Sequence, residues 1–145
     1  MAGEYLVVWT GDDLFDFEIE VYGQRLDADG AETGANDFRI SDTGGTGVNP
    51  FAAFNPAVAY NPVDDEYLVV WYGNDDLGGL MDDEFEVFAQ RLDADGLEIG
   101  DNDLRISDMG DTGDPAFDAF LSPGTPAIAH DPPGNGTIRG PGRCH

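Results

Sequence analysis

The sequence predicts an all-β chain of two tandem four-stranded antiparallel modules, and three observations carry that prediction. First, long pieces occur twice. Glu66-Tyr67-Leu68-Val69-Val70-Trp71 repeats Glu4 to Trp9 letter for letter, Gln90 to Gly96 repeats Gln24 to Gly30, and Arg105-Ile106-Ser107-Asp108 repeats Arg39 to Asp42. Self-similarity of this kind marks stacked modules or arrays. Second, the repeated pieces are β-branched and aromatic runs, or alternate apolar with polar residues, with Gly and Pro between them. No sustained period of 3.6 residues signals a helix. Third, the offset between copies grows from 62 residues at Glu4/Glu66 to 66 at Gln24/Gln90 and 70 at Pro56/Pro126. The strands therefore keep their lengths while two loops absorb the difference.

In chain order, Tyr5 to Trp9 is an unbroken apolar run, the pattern of a strand covered on both faces. The acidic stretch Gly11 to Asp16 turns the chain. Phe17 to Leu26 then begins by alternating, with Phe17, Ile19 and Val21 on one side of a half-buried strand. Asp27-Ala28-Asp29-Gly30 is a tight turn with Gly where positive φ costs little, and after Asn36-Asp37 the segment Phe38 to Ser41 supplies the last strand. Asp42 to Asn55 reads as a loop with Phe51 and Phe54 tucked beneath it. Pro56 to Tyr60 is a short strand of small residues suited to a crowded position, and Asn61 to Asp65 turns into the second Tyr-Leu-Val-Val-Trp strand.

With a module written as a (Pro56 to Tyr60), b (Glu66 to Tyr72), c (Phe85 to Leu92) and d (Leu104 to Ser107), the chain reads b-c-d, a-b-c-d, then a lone a. The predicted divisions are residues 4–55 for the first module, 56–108 for the second, 109–131 for a loop and exchanged strand, and 132–145 for a Pro/Gly-rich tail. The lone strand, Pro126-Ala127-Ile128-Ala129-His130, echoes Pro56 to Tyr60 and is expected to complete the first module of a neighbouring chain, because an open strand edge invites pairing. Such a head-to-tail contact closes a ring or grows a filament. The alternative is a self-closed β-sandwich in which the last strand pairs back onto the first module.

Composition limits the partners. Against 30 Asp plus Glu the chain sets 6 Lys plus Arg, all of them Arg, for a net charge of -24. Such a surface repels nucleic-acid phosphates and anionic lipids, so neither nucleic acid nor membrane insertion is expected. Cations are the natural counterparts, either as a diffuse atmosphere or at Ca²⁺ sites. A single cysteine, Cys144, excludes an internal disulfide and reads as an unpaired tail thiol. No basic and apolar leader precedes the first strand, which fits a removed leader or a piece of a longer array.

Pro56-Ala57-Val58-Ala59-Tyr60-Asn61, Glu66 to Trp71 and Gln90 to Gly96, with their copies, resemble the repeats of large secreted or cell-surface bacterial proteins taken to form β-propeller blades. The resemblance spans most of residues 4–131. It implies blade-like modules and an extracellular or cell-surface location, and it leaves function open because propellers host both enzymes and binding platforms. Two blades do not close a propeller of about four to eight, so closure requires several chains. The Ser-x-Asp-x-Gly-x-x-Trp turn of sialidase-like propellers is absent at Ser41-x-Thr43 and Ser107-x-Met109.

Candidate chemistry is sparse. Asp27 and Asp29, like Asp93 and Asp95, stand two apart before a Gly as at the opening of a Ca²⁺ loop, but Gly30 and Gly96 arrive too early for the EF-hand pattern, and a plain hairpin turn is the competing reading. The Asp12-Asp13/Asp16 and Asp75-Asp76/Asp82-Asp83 loops read as solvated. Arg25, Arg39, Arg91 and Arg105 occupy equivalent places and are expected to pair with carboxylates on adjacent strands. His130 stands where the other module has Tyr60, and no carboxylate pair is distinguished from its neighbours. The sequence therefore points to a non-enzymatic, extracellular β-repeat protein that assembles with itself, as a filament or a ring with a structural or adhesive role. The alternative is a lectin-like module that binds glycans through Trp9, Trp71 and Tyr72, against which those rings read as packing.

Overall fold

The structure, a computed structural model, describes residues 3–12, 19–42, 52–73, 85–107 and 126–131. Seven strands form two antiparallel sheets with no helix among the described residues. β1 (Tyr5–Gly11), β2 (Glu20–Leu26) and β3 (Glu32–Arg39) make a three-stranded sheet in the order β1-β2-β3. β4 (Ala53–Asn61), β5 (Glu66–Gly73), β6 (Glu86–Leu92) and β7 (Glu98–Arg105) make a four-stranded sheet in the order β4-β5-β6-β7. The predicted b-c-d and a-b-c-d order is thus the sheet order. Register repeats as well: Val7 lies opposite Gln24 and Val69 opposite Gln90, while Trp9 faces Tyr22 as Trp71 faces Phe88.

Several strand boundaries differ from the sequence reading. The last strand of each module begins at Glu32 and Glu98, well before the Phe38 and Leu104 expected from the pattern, because a bulge carries it through a polar stretch. Gly34 and Asp37 take positive φ there, as do Gly100 and Asp103. The side chain of Gln24 fills the gap: its Nε2 donates to the carbonyls of Arg25 (3.0 Å) and Thr33 (3.3 Å), and its Oε1 accepts from the Asp37 N–H (2.9 Å). Gln90 does the same with Arg91, Ile99 and Asp103. β4 likewise starts at Ala53 rather than Pro56, with the irregularity between Phe54 and Ala57 absorbing Pro56, which has no N–H to donate. Phe54 stacks on Tyr72 at 5.4 Å as part of that strand instead of lying beneath a loop; Phe51 and Phe17 lie outside the described residues.

The core sits between the two sheets. Leu6, Val21 and Ile40 of the first meet Ala53, Tyr67, Val69, Trp71, Phe88 and Leu92 of the second. Val58 and Tyr60 of β4 pack against the same cluster. Ala53 N–H donates to the Ile19 carbonyl at 2.9 Å, and Asp42 N–H to Asp103 Oδ2 at 2.7 Å, so polar contacts also join the modules.

Candidate assembly interface

The repeated hexapeptide buries opposite faces in its two copies. In β5, Tyr67, Val69 and Trp71 point into the core; in β1 the equivalent Tyr5 and Val7 are 59% and 45% exposed, and Leu6 points inward instead. The expectation that Tyr5 to Trp9 is covered on both sides therefore fails at Tyr5 and Val7 of β1, while in β5 Val70 is buried on the side away from Val69 and Leu68 is only partly covered. The second module is open on part of the complementary side, where Val70 and Ala89 are buried but Leu104 is 50% exposed. Ile40 is fully buried whereas its equivalent Ile106 is 55% exposed, and the Arg25 side chain is 9% exposed against 52% for Arg91.

Residues 126–131 have no strand pairing, so the eighth strand of the sandwich alternative is not formed. Ile128, Ala129 and His130 instead line a cavity of about 350 Å³ with Leu68, Ala89, Arg91, Leu104 and Ile106. Val58 and Tyr60, which Ile128 and His130 echo, pack against the core formed with the first module. The segment thus borders the open part of the second module's outer face. Among the described residues β1, meanwhile, pairs only with β2, whereas its copy β5 pairs with both β4 and β6.

Arg25, Arg39 and Arg91 pair with carboxylates as expected. Arg25 donates to Glu4 Oε1 at 2.8 Å, Arg91 to Glu66 Oε1 at 2.8 Å, and Arg39 to Glu20 at 3.0 Å and to Asp42 at 2.9 Å. Glu20 and Glu86 are fully buried, which the alternation did not reveal. Ser41 Oγ donates to Glu20 and accepts from the Val21 N–H (2.8 Å), while Ser107 Oγ donates to Glu86 (2.7 Å) and accepts from the Val87 N–H (2.7 Å). Arg39 Nε and Arg105 Nε each donate to the carbonyl of that serine. The repeated Arg-Ile-Ser, standing behind a repeated Glu, was the available signal for this lock.

The candidate metal turns are self-contained. Asp27 Oδ1 accepts from the N–H groups of Asp29 and Ala31, both at 2.9 Å, and Asp93 Oδ1 from those of Asp95 and Leu97 at the same distance. This is the hydrogen-bonding of an Asx turn. Asp29 and Asp95 contribute backbone to it, and among the described residues no three His, Cys, Asp or Glu converge as a metal-holding group. Of the aromatic candidates, Trp71 is fully buried against Phe88, and Tyr72 is buried between Phe54 and Phe85. Trp9 borders a cavity of about 260 Å³, shared with Gly11, Asp12, Tyr22, Asn36 and Asp37. The remaining acidic-loop residues, Cys144 and the tail lie outside the described residues.

Tyr60 O–H donates to Asp65 at 2.5 Å, and that bond, with burial and the carboxylate's charge behind it, pushes the phenol up to about 12. Burial, reinforced by Glu4 of the first module, raises Tyr67. Both phenols therefore serve as neutral packing groups near neutral pH. Comparison of the chain with known proteins returns no matching family model, no matching curated protein and no matching solved structure.

Proposed function

We propose that this chain is a non-enzymatic, extracellular or cell-surface β-repeat protein that assembles head to tail by strand exchange, its modules acting as propeller-like blades in a ring or a filament. The contrast between β1 and β5 carries it: they share Tyr-Leu-Val-Val-Trp, yet β5 has an outer neighbour in β4 and β1 has none among the described residues, while a second β4-like segment lies unpaired at residues 126–131. A neighbouring chain's Pro126 to His130 supplies the missing strand. Ring closure takes roughly two to four chains if about four to eight blades are required. The location rests on the resemblance of the repeats, and the role is structural or adhesive.

Light scattering with negative-stain imaging tests the assembly. A discrete mass of a few chains indicates a ring, long polymers a filament, and a stable monomer at all concentrations ends the proposal. Chelation of Ca²⁺ is expected to leave the result unchanged, since Asp27 and Asp93 already close their own turns. Replacing Ala127 and Ala129 by Pro is expected to abolish strand pairing. The second reading, glycan binding, is favoured by the Trp9 cavity with its carboxylate and amide neighbours; saturable binding on a glycan array that Trp9→Ala removes would establish it.

A further inference from the structure

The two modules of one chain meet through a defined interface, and each half of it recurs on the far side of the other module, where Tyr5, Val7, Leu104 and Ile106 are left exposed. Leu6, Arg25, Phe38 and Ile40 form the covered side of the first sheet; their equivalents on the second are Leu68, Arg91, Leu104 and Ile106. Tyr67, Val69 and Trp71 form the face that covers them, and their equivalents on the first sheet are Tyr5, Val7 and Trp9.

The turns carry the same mark. Gly96 of the second module packs on the first, where a Cβ would stand 3.0 Å from the Phe38 ring and 3.3 Å from the Arg25 stem. Asp95 beside it lies 3.9 Å from the Arg25 guanidinium. Gly30, in the identical turn of the first module, has the same positive φ and meets nothing within 4 Å. A turn built to the same sequence and shape thus stands ready for the same contact with no partner beneath it.

We infer that the Tyr5-Val7-Trp9 face of one chain seats on the Leu68-Leu104-Ile106 face of a second copy in the register of the internal interface, with Asp29 and Gly30 of the first over Arg91 and Leu104 of the second. The inference rests on the head-to-tail reading and adds the surface and register that strand exchange alone does not specify. An occupant of other chemistry is less suited: the internal interface shows this sequence covering this sequence, and residues 126–131 already border the open part of the face where β4 lies on the first module. The contact is heterologous, so its two sides can be blocked separately.

The test uses full-length Val7→Asp and Ile106→Asp, both at positions exposed in a single chain, with Val63→Asp on an exposed turn as control. Each face variant alone is expected to lose self-association at least about a hundredfold, the scale of burying an uncompensated charge, while circular dichroism and the control remain as in the parent chain. Mixed one to one, the face variants form a dimer, because the intact Tyr5 face of Ile106→Asp meets the intact Ile106 face of Val7→Asp. Association of either face variant at parental strength overturns the inference, as does a mixture that stays monomeric. Placing Ala127→Pro and Ala129→Pro in the Val7→Asp chain separates the two ideas: a mixed dimer that persists keeps the face contact and ends strand exchange, whereas its loss upholds strand exchange as a requirement of the contact.

Discussion

Arg25 and Arg91 provide a controlled comparison of environment with geometry. Each pairs with the glutamate that opens the repeated Glu-Tyr-Leu-Val-Val-Trp, Glu4 or Glu66. The Arg91 pair has the better geometry, with Nη2 at 2.8 and 3.0 Å from the two carboxylate oxygens and Nε at 3.3 Å from one of them. The Arg25 pair makes one 2.8 Å contact and leaves Arg25 Nε and Glu4 Oε2 buried without hydrogen-bond partners. If geometry governed, Arg91→Ala would cost more. Burial reverses the order: removing one partner of a buried pair strands the other charge and costs about 3–5 kcal/mol, whereas a solvent-exposed pair contributes about 0.2–1 kcal/mol. For a chain of this size Arg25→Ala should lower Tm by roughly 10–20 °C and Arg91→Ala by no more than about 4 °C. Both substitutions remove one positive charge from the same acidic chain, so the general electrostatic effect cancels in the comparison. Calorimetry on dilute, unassembled protein measures both; an Arg91→Ala loss equal to or larger than that of Arg25→Ala would refute the reasoning.

Gln24→Ala strips the bulge of its plug and should cost about 1–3 kcal/mol for each backbone group left buried without a partner, read as a lower urea midpoint with Gln90→Ala behaving alike. Trp71→Ala, at a fully buried ring, should cost about 3–5 kcal/mol, while Trp9→Ala on the open face should cost well under half of that in the same unfolding assay. At high pH, unfolded Tyr60 ionises near 10.0 while the folded phenol holds its proton to about 12. The folded form then binds more protons, so this contribution to stability is complete below pH 10, falls as pH rises and is gone above about 12. Tyr60→Phe should remove that part of the alkaline loss. Self-association of copies that each carry a charge of -24 should strengthen with added salt, which concentration-dependent light scattering follows.

The repeats made the strand order readable because identical strings must form equivalent strands wherever their neighbours permit, and short-range patterns suffice to locate turns and core runs. Arg25 and Arg91 were readable for the same reason, since cross-strand partners follow from register. The polar stretches around Gly34 and Gly100 misled because their backbone is held by one glutamine side chain from the adjacent strand, a contact that leaves no periodicity. Buried Glu20 and Glu86 were hidden for a related reason: a carboxylate enters a core only when Ser and Arg from a distant strand meet it there.

By itself, then, the sequence determined the all-β class, the b-c-d and a-b-c-d order and the near-identity of the two modules. Only the tertiary structure decided which side of each module is covered. Tyr5 and Tyr67, or Ile40 and Ile106, have the same local surroundings in the chain, and burial is a property of what lies across the sheet rather than of the residue or its neighbours in sequence. Two modules stacked once leave one face of each open, and that incompleteness, invisible in a string of equivalent letters, is the feature on which the proposed assembly depends.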